Sequence, residues 1–219
     1  MSSAGVRVAL VLPTSWEWYF EPQRKHSIAG YAEKALKIAE KISPGSGVEV
    51  FLYGEPVNGE GTDVVRSRLE PGSLSEWVRE WGVRPNARRR VFDEPVPSNR
   101  AEEHFGTGEQ PWYGRPLPAV RAVNEWAAGT DGITFVIFWL DRKIETDDML
   151  RFIAESGDAR IFWQFFGESE EIYQTFWSRD STSQRRVLPN VWFCFDEHWS
   201  RRSISRGFSQ WREKVVEKT

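Results

Sequence analysis

Short runs of β-branched and aromatic residues alternate along this chain with stretches of helical period, and this alternation constrains the fold more than any other feature. Val6-Arg7-Val8-Ala9-Leu10-Val11-Leu12, Val48 to Tyr53, Ile133 to Leu140, Arg160 to Phe166 and Val191 to Phe195 read as strands. Ile133 to Leu140 is the most hydrophobic run and predicts a central strand. Strands apolar along their whole length need cover on both faces. The cover is predicted as helices over Pro22 to Ile42, Leu74 to Trp81, the stretch from Pro116 through Trp126, Thr146 to Ser156, Glu170 to Trp177 and Ser203 to Glu217. In the first of these, Ile28, Ala32, Ala35, Ala39 and Ile42 fall on one face. Val64 to Leu69 alternates poorly and carries Arg66 and Arg68, as an edge strand does. The expected fold is a three-layer α/β domain, with a mainly parallel doubly wound sheet and one antiparallel edge strand.

Local signals set the boundaries. Pro13 is expected to stop the first strand. Ser73, with Glu76 three residues on, reads as a capping box, and Thr146 reads as a helix cap. From Gly82 to Gly114 the pattern fails among Pro85, Pro95, Pro97, Pro111, Gly106 and Gly108. A single domain over residues 1–219 with a loop insertion at about 82–114 is therefore expected, and loops of that length are usually functional or disordered.

Composition enters as a limit on what the domain can do. Apolar residues make up 40% of the 219, enough for one core, and a net charge of -3 argues against non-specific nucleic-acid binding. Cys194 is the single cysteine, so neither an internal disulfide nor a zinc cluster can form, and a small buried hydrophobe is expected there. The run Val6 to Leu12 is too short for a secretory signal, and no run approaches membrane-spanning length. A cytoplasmic location without a membrane partner is the expectation. The 12 tryptophans stand against about 3 at ordinary usage, more than a core of this size needs.

In doubly wound sheets ligands sit beyond the carboxyl ends of the strands. Those positions here are Pro13 to Phe20, Gly54 to Glu60, Asp141 to Glu145 and Gly167 to Ser169. Trp16, Trp18, Tyr19 and Phe20 crowd the first of them, and Trp112 and Tyr113 precede the third helix pattern. Two facing aromatic loops make a partner-binding surface. Packed under the insertion, the same rings would make a second small core instead.

The ordered set Val8 to Leu12, Ala35 to Ala39, Val48 to Gly54, Leu74 to Val78, Pro118 to Val123, Phe135 to Asp141 and Ile161 to Gly167 resembles the von Willebrand factor type A domain family, in its bacterial tellurium-resistance-associated branch. The resemblance implies a divalent-ion site built from an Asp-x-Ser-x-Ser loop after the first strand, a threonine from a middle loop and an aspartate ending the central strand. Here the loop reads Pro13-Thr14-Ser15-Trp16-Glu17, and Gly114 falls near the threonine position. Only Ser15 and Asp141 match, with Glu17 in place of the second serine. Magnesium needs hard oxygen ligands in near-octahedral geometry, so a degenerate site is expected, with no cofactor and Mg²⁺ disfavoured.

Other constellations point to plain structural roles. His26, His104 and His198 have no metal or triad spacing, and no Gly-x-Ser-x-Gly elbow surrounds Ser15. Glu145, Asp147 and Asp148 sit at a helix start, where acids meet the dipole. Arg88-Arg89-Arg90 is diluted by Asp93 and Glu94. The favoured function is a non-catalytic protein–protein interaction module or adaptor, which the resemblance places in a bacterial stress-response or defence assembly. The alternatives are a metal-dependent hydrolase or nuclease using Glu17, Asp141 and Asp147, and a nucleotide or nucleic-acid binder stacking bases on Trp16 or Trp112.

Overall fold

The computed structural model describes residues 5–14, 28–56, 59, 61–82, 99–105, 115–129, 131–140, 146–167, 170–176, 188–195 and 207–213. Six strands form one sheet: β1 (Val6–Pro13), β2 (Val48–Tyr53), β3 (Val64–Leu69), β4 (Ile133–Trp139), β5 (Ile161–Gly167) and β6 (Val191–Phe195). Their order is β3-β2-β1-β4-β5-β6. All neighbours are parallel except β2 and β3, which pair antiparallel with Val48 opposite Leu69. The fold class is the one the strand–helix alternation predicts. Strand order reverses between β1 and β4, so the switch point lies where those two strands end.

Side chains alternate between two cores. Val6, Val8, Leu10 and Leu12 of β1 enter the first, with Ile28, Tyr31, Ala32, Ala35, Ile38 and Ala39 of α1 (Ile28–Ile42). The three alanines let α1 lie close to the sheet. Trp77 and Trp81 of α2 (Leu74–Trp81) and Phe208 and Trp211 of the helical segment 207–213 complete that layer. Ala9 and Val11 enter the second core, under α4 (Pro116–Ala128), α5 (Thr146–Ser156) and α6 (Glu170–Phe176). Between the two layers β4 and β5 are buried almost throughout. Each Val, Ile or Phe so buried contributes about 1.5–3 kcal/mol.

Several local expectations need correcting. Pro13 is not among them: it ends β1 as its last residue, paired with Tyr53. Thr14 N–H donates to Tyr53 O at 2.8 Å, so residues of that parity face β2. The missing N–H of Pro13 therefore falls on the β4 side, beyond the last pair there, Val11 with Phe138. Ser73 does not cap α2 through its side chain; its hydroxyl donates backward to Glu70 O. Thr146 does not cap α5 either: it is the helix's own first residue, and among the described residues its buried Oγ1 has no partner.

The expected loop at 82–114 contains a helix, α3 (Arg100–Phe105). A capping box starts it. Glu102 N–H donates to Asn99 Oδ1 at 3.0 Å, and Asn99 N–H donates to Glu102 Oε2. Asn99 Nδ2 donates to Gly82 O at 2.6 Å, while Arg100 pairs with Glu80 and lies over the Trp81 ring. Ala101 and Phe105 thereby enter the first core.

Candidate functional site

At the switch point the described strand ends carry hydroxyl and aromatic groups. Thr14 donates from both its backbone N–H and its Oγ1 to the same carbonyl, Tyr53 O, and is buried. Tyr53 reaches across the end of β1, and its hydroxyl donates to Trp139 O at 2.9 Å. Tyr31 packs against Trp139 from α1, with ring centroids 4.8 Å apart. Leu140 N–H continues the ladder to Phe166 O. Gly54 is held against Thr14, and a Cβ there would stand 1.9 Å from Thr14 Oγ1. The result is a closed platform, in which the Thr14 and Tyr53 hydroxyls are both spent on backbone carbonyls.

The residues singled out beside this platform lie outside the described residues: Ser15, Trp16, Glu17, Trp18, Tyr19, Phe20, Trp112, Tyr113, Gly114 and Asp141, and with them His26, His198, Glu145 and Arg88 to Arg90. Of the expected acidic group, Asp147 and Asp148 are described. Both are exposed in the first turn of α5, and Asp148 accepts a hydrogen bond from Arg151. His104 is described too, with Nε2 2.7 Å from Thr62 O. Cys194 is half-buried rather than buried, with Sγ 3.5 Å from Nε2 of the fully buried Gln164.

Pro13 offers no side-chain oxygen, and the Thr14 hydroxyl donates to Tyr53 O. The positions that the resemblance would use for an ion, Ser15, Glu17, Gly114 and Asp141, all lie outside the described residues. Among the described residues no three His, Cys, Asp or Glu side chains come together as a metal cluster would require.

A second polar assembly, at the opposite end of the strands, escaped the reading of the sequence. Arg7 Nη2 donates to Ala127 O at the carboxyl end of α4 and to Thr134 Oγ1, and its guanidinium lies 4.6 Å from the Trp126 ring centroid. Burial and nearby Arg160 pull the Arg7 pKa down, against an opposing pull from Glu49. Glu49 on β2 accepts from Arg66 Nε at 2.7 Å and Arg68 Nη1 at 2.9 Å. Burial pushes the Glu49 carboxyl up, but the bonds from Arg66 and Arg68 outweigh it and hold it below its ordinary range. The available signal was Glu49 itself, a carboxylate inside an apolar strand, opposite a strand with arginines at every second position.

No family model matches the sequence, and no curated protein shows detectable sequence similarity to it. Among solved structures, the chain is similar to one described as von Willebrand factor type A from Catenulispora acidiphila, with 15% identity and a TM-score of 0.45. The likeness covers 97% of this chain and 42% of that one, so this chain spans less than half the length of that protein. Among the described residues no helix is long and apolar enough to cross a membrane.

Proposed function

We propose that this domain is a non-catalytic protein–protein interaction module whose docking face is built from Trp16, Trp18, Tyr19, Trp112 and Tyr113. The observation that carries this reading is the closed platform at the switch point. The Thr14 and Tyr53 hydroxyls are committed to backbone carbonyls there, and on the other face of the sheet the rings of Tyr31 and Trp139 pack against each other. Such a base supports large apolar groups better than polar chemistry. The aromatic segments adjoin it in the chain: Trp16 and Trp18 follow Thr14 closely, and Trp112 and Tyr113 precede α4. The described tryptophans add a second support. Trp77, Trp81, Trp139, Trp163 and Trp211 are buried, and Trp126 and Trp192 pack half-buried against the cores. Seven of the 12 tryptophans thus already serve the two cores. A cytoplasmic adaptor role in a bacterial stress-response or defence assembly, without a bound cofactor, fits this reading.

The test is affinity capture from native lysate with wild type, Trp16→Ala and Trp18→Ala, paired with chemical denaturation of each. Captured partners should be lost from both variants, with binding weakened by about 2 kcal/mol or more. Folding stability should stay within about 1 kcal/mol of wild type. If both variants lose about 3–5 kcal/mol of stability, the rings are core and the docking face does not exist.

A further inference from the structure

The two edges of the sheet differ in how much they leave open. At β6, Val191 and Phe193 are only 3% exposed. At β3, Arg66 and Arg68 hold about half of their side chains in solvent. Both stand on the second-core face, opposite Phe51 and Glu49 of β2.

The ladder shows where the β3 backbone points. Gly54 N–H donates to Asp63 O at 2.9 Å, two residues along from the pair Leu52 with Val65. Bonded and non-bonded pairs alternate in an antiparallel ladder. Val65, Ser67 and Leu69 therefore bond β2, while Val64, Arg66 and Arg68 turn their N–H and C=O groups outward. Val64 O accepts from Thr62 Oγ1. Among the described residues, nothing bonds the outward backbone groups of Arg66 or Arg68.

The side chains at this edge are only partly spent. Glu49 takes Arg66 Nε and Arg68 Nη1, and Glu70 takes Arg68 Nε at 2.6 Å. Among the described residues, both Nη atoms of Arg66 and Nη2 of Arg68 have no acceptor. Arg7 is drawn to Glu49 from β1, so three arginines gather around two carboxylates and the face keeps positive charge. On the opposite face, Val65 of β3 and Leu74 and Val78 of α2 pack half-buried against the first core.

We propose that β3 is a docking edge for an extended acidic segment of a partner protein, which adds to the sheet antiparallel to β3. Asp or Glu side chains at every second position of that segment stand opposite Arg66 and Arg68. The apolar side chains between them fall on the Val65 face and extend the first core. A second copy of β3 does not fit, because it would set arginine against arginine. The charges that keep this edge from pairing with itself thus select its partner. The aromatic segments at the switch point take no part.

The test uses the full chain and a fluorescein-labelled peptide, Val-Glu-Val-Glu-Val-Glu-Val, read by fluorescence anisotropy. Binding should saturate below about 1 mM and weaken several-fold as salt rises to about 1 M. The same peptide with lysine for glutamate should not bind. Two N-methylated peptides read the backbone. In an antiparallel pair, the residues opposite Arg66 and Arg68 are the ones that bond them. Methylation at the glutamates should therefore weaken binding by roughly tenfold or more, and methylation at the valines should leave it nearly unchanged. Arg66→Gln should also weaken binding by roughly tenfold; if that variant does not fold, the methylated pair still decides. A wild type that does not bind the glutamate peptide overturns the proposal. So does equal behaviour of the two methylated peptides, or a folded Arg66→Gln that binds as wild type does. Trp16→Ala should bind the peptide as wild type does, and its loss of partner capture with peptide binding intact would separate the two surfaces.

Discussion

Replacing Gly54 with alanine tests how tightly the end of β2 is built against the end of β1. Gly54 does not have a positive φ, so the cost of a methyl group is steric alone. The new Cβ would stand 1.9 Å from Thr14 Oγ1, 3.3 Å from Thr14 Cβ and 3.1 Å from Phe105 Cδ1. The Thr14 hydroxyl must rotate away from Tyr53 O, giving up a net contribution of about 1 kcal/mol. The Phe105 ring must move as well, and overpacking of this kind costs about 1–3 kcal/mol. Gly54→Ala should therefore destabilise the protein by about 2–4 kcal/mol. Thr14→Ala alone should cost only about 1 kcal/mol, because Tyr53 O keeps the Thr14 N–H. In the double variant the worst clash is gone, so the two costs should fall short of additivity by about 1–2 kcal/mol. Urea denaturation of the four proteins, with unchanged m-values, measures all three numbers. An additive cycle, or Gly54→Ala within about 0.5 kcal/mol of wild type, would falsify the packing argument.

Three further outcomes are expected. The Glu49 carboxyl titrates below its ordinary value, so its contribution is fully present above about pH 4.3 and is lost as pH falls through the folded value. Glu49→Gln should flatten the acid side of the stability profile and cost about 1 kcal/mol near neutrality, a small figure because Arg66 and Arg68 stand half in solvent; parallel acid limbs would rule this out. Trp126→Ala uncovers the Arg7 guanidinium and removes an edge contact to Phe51, and should cost about 2–4 kcal/mol by denaturation; a loss under about 1 kcal/mol would mean that the ring supports neither. Added Mg²⁺ or chelator should leave the melting temperature unchanged, and a Mg²⁺-dependent rise that disappears in Asp141→Ala would contradict that.

The sheet was legible in the sequence because its signal is collective. Val8, Leu10 and Leu12 belong to one core and Ala9 and Val11 to the other, so the strand is apolar throughout. Only cover on both faces explains such a strand. α3 was not legible, because six residues are too few to show a period. Its start signal, Asn99 with Glu102 three residues on, lies in a proline-rich stretch that reads as loop. The capping box expected at Ser73 failed for the converse reason, since the motif was present but the hydroxyl found Glu70 O behind it. At the candidate site, the sequence marked Pro13 as a lost ligand but could not reveal the Thr14 hydroxyl, whose role depends on a carbonyl 39 positions away. The Arg7–Trp126 contact was hidden likewise, because α4 alone brings the two together.

β1 sits at the middle of the sheet, yet one of its two neighbours comes late in the chain: Arg7 pairs with Thr134, 127 positions further on. At ordinary translation speeds, on the order of 6–25 s passes between the synthesis of these two residues. During that interval β1, β2 and β3 can assemble, but the β4-facing edge of β1 stays bare. Loop closure over so long a span costs only slightly more free energy than over half of it. The delay is what matters, because an apolar strand edge left open for seconds is a template for other nascent chains. The seam through the centre of the mature sheet is thus the last part of its first half to be closed, and a chain cut short before Ile133 keeps that edge open for good.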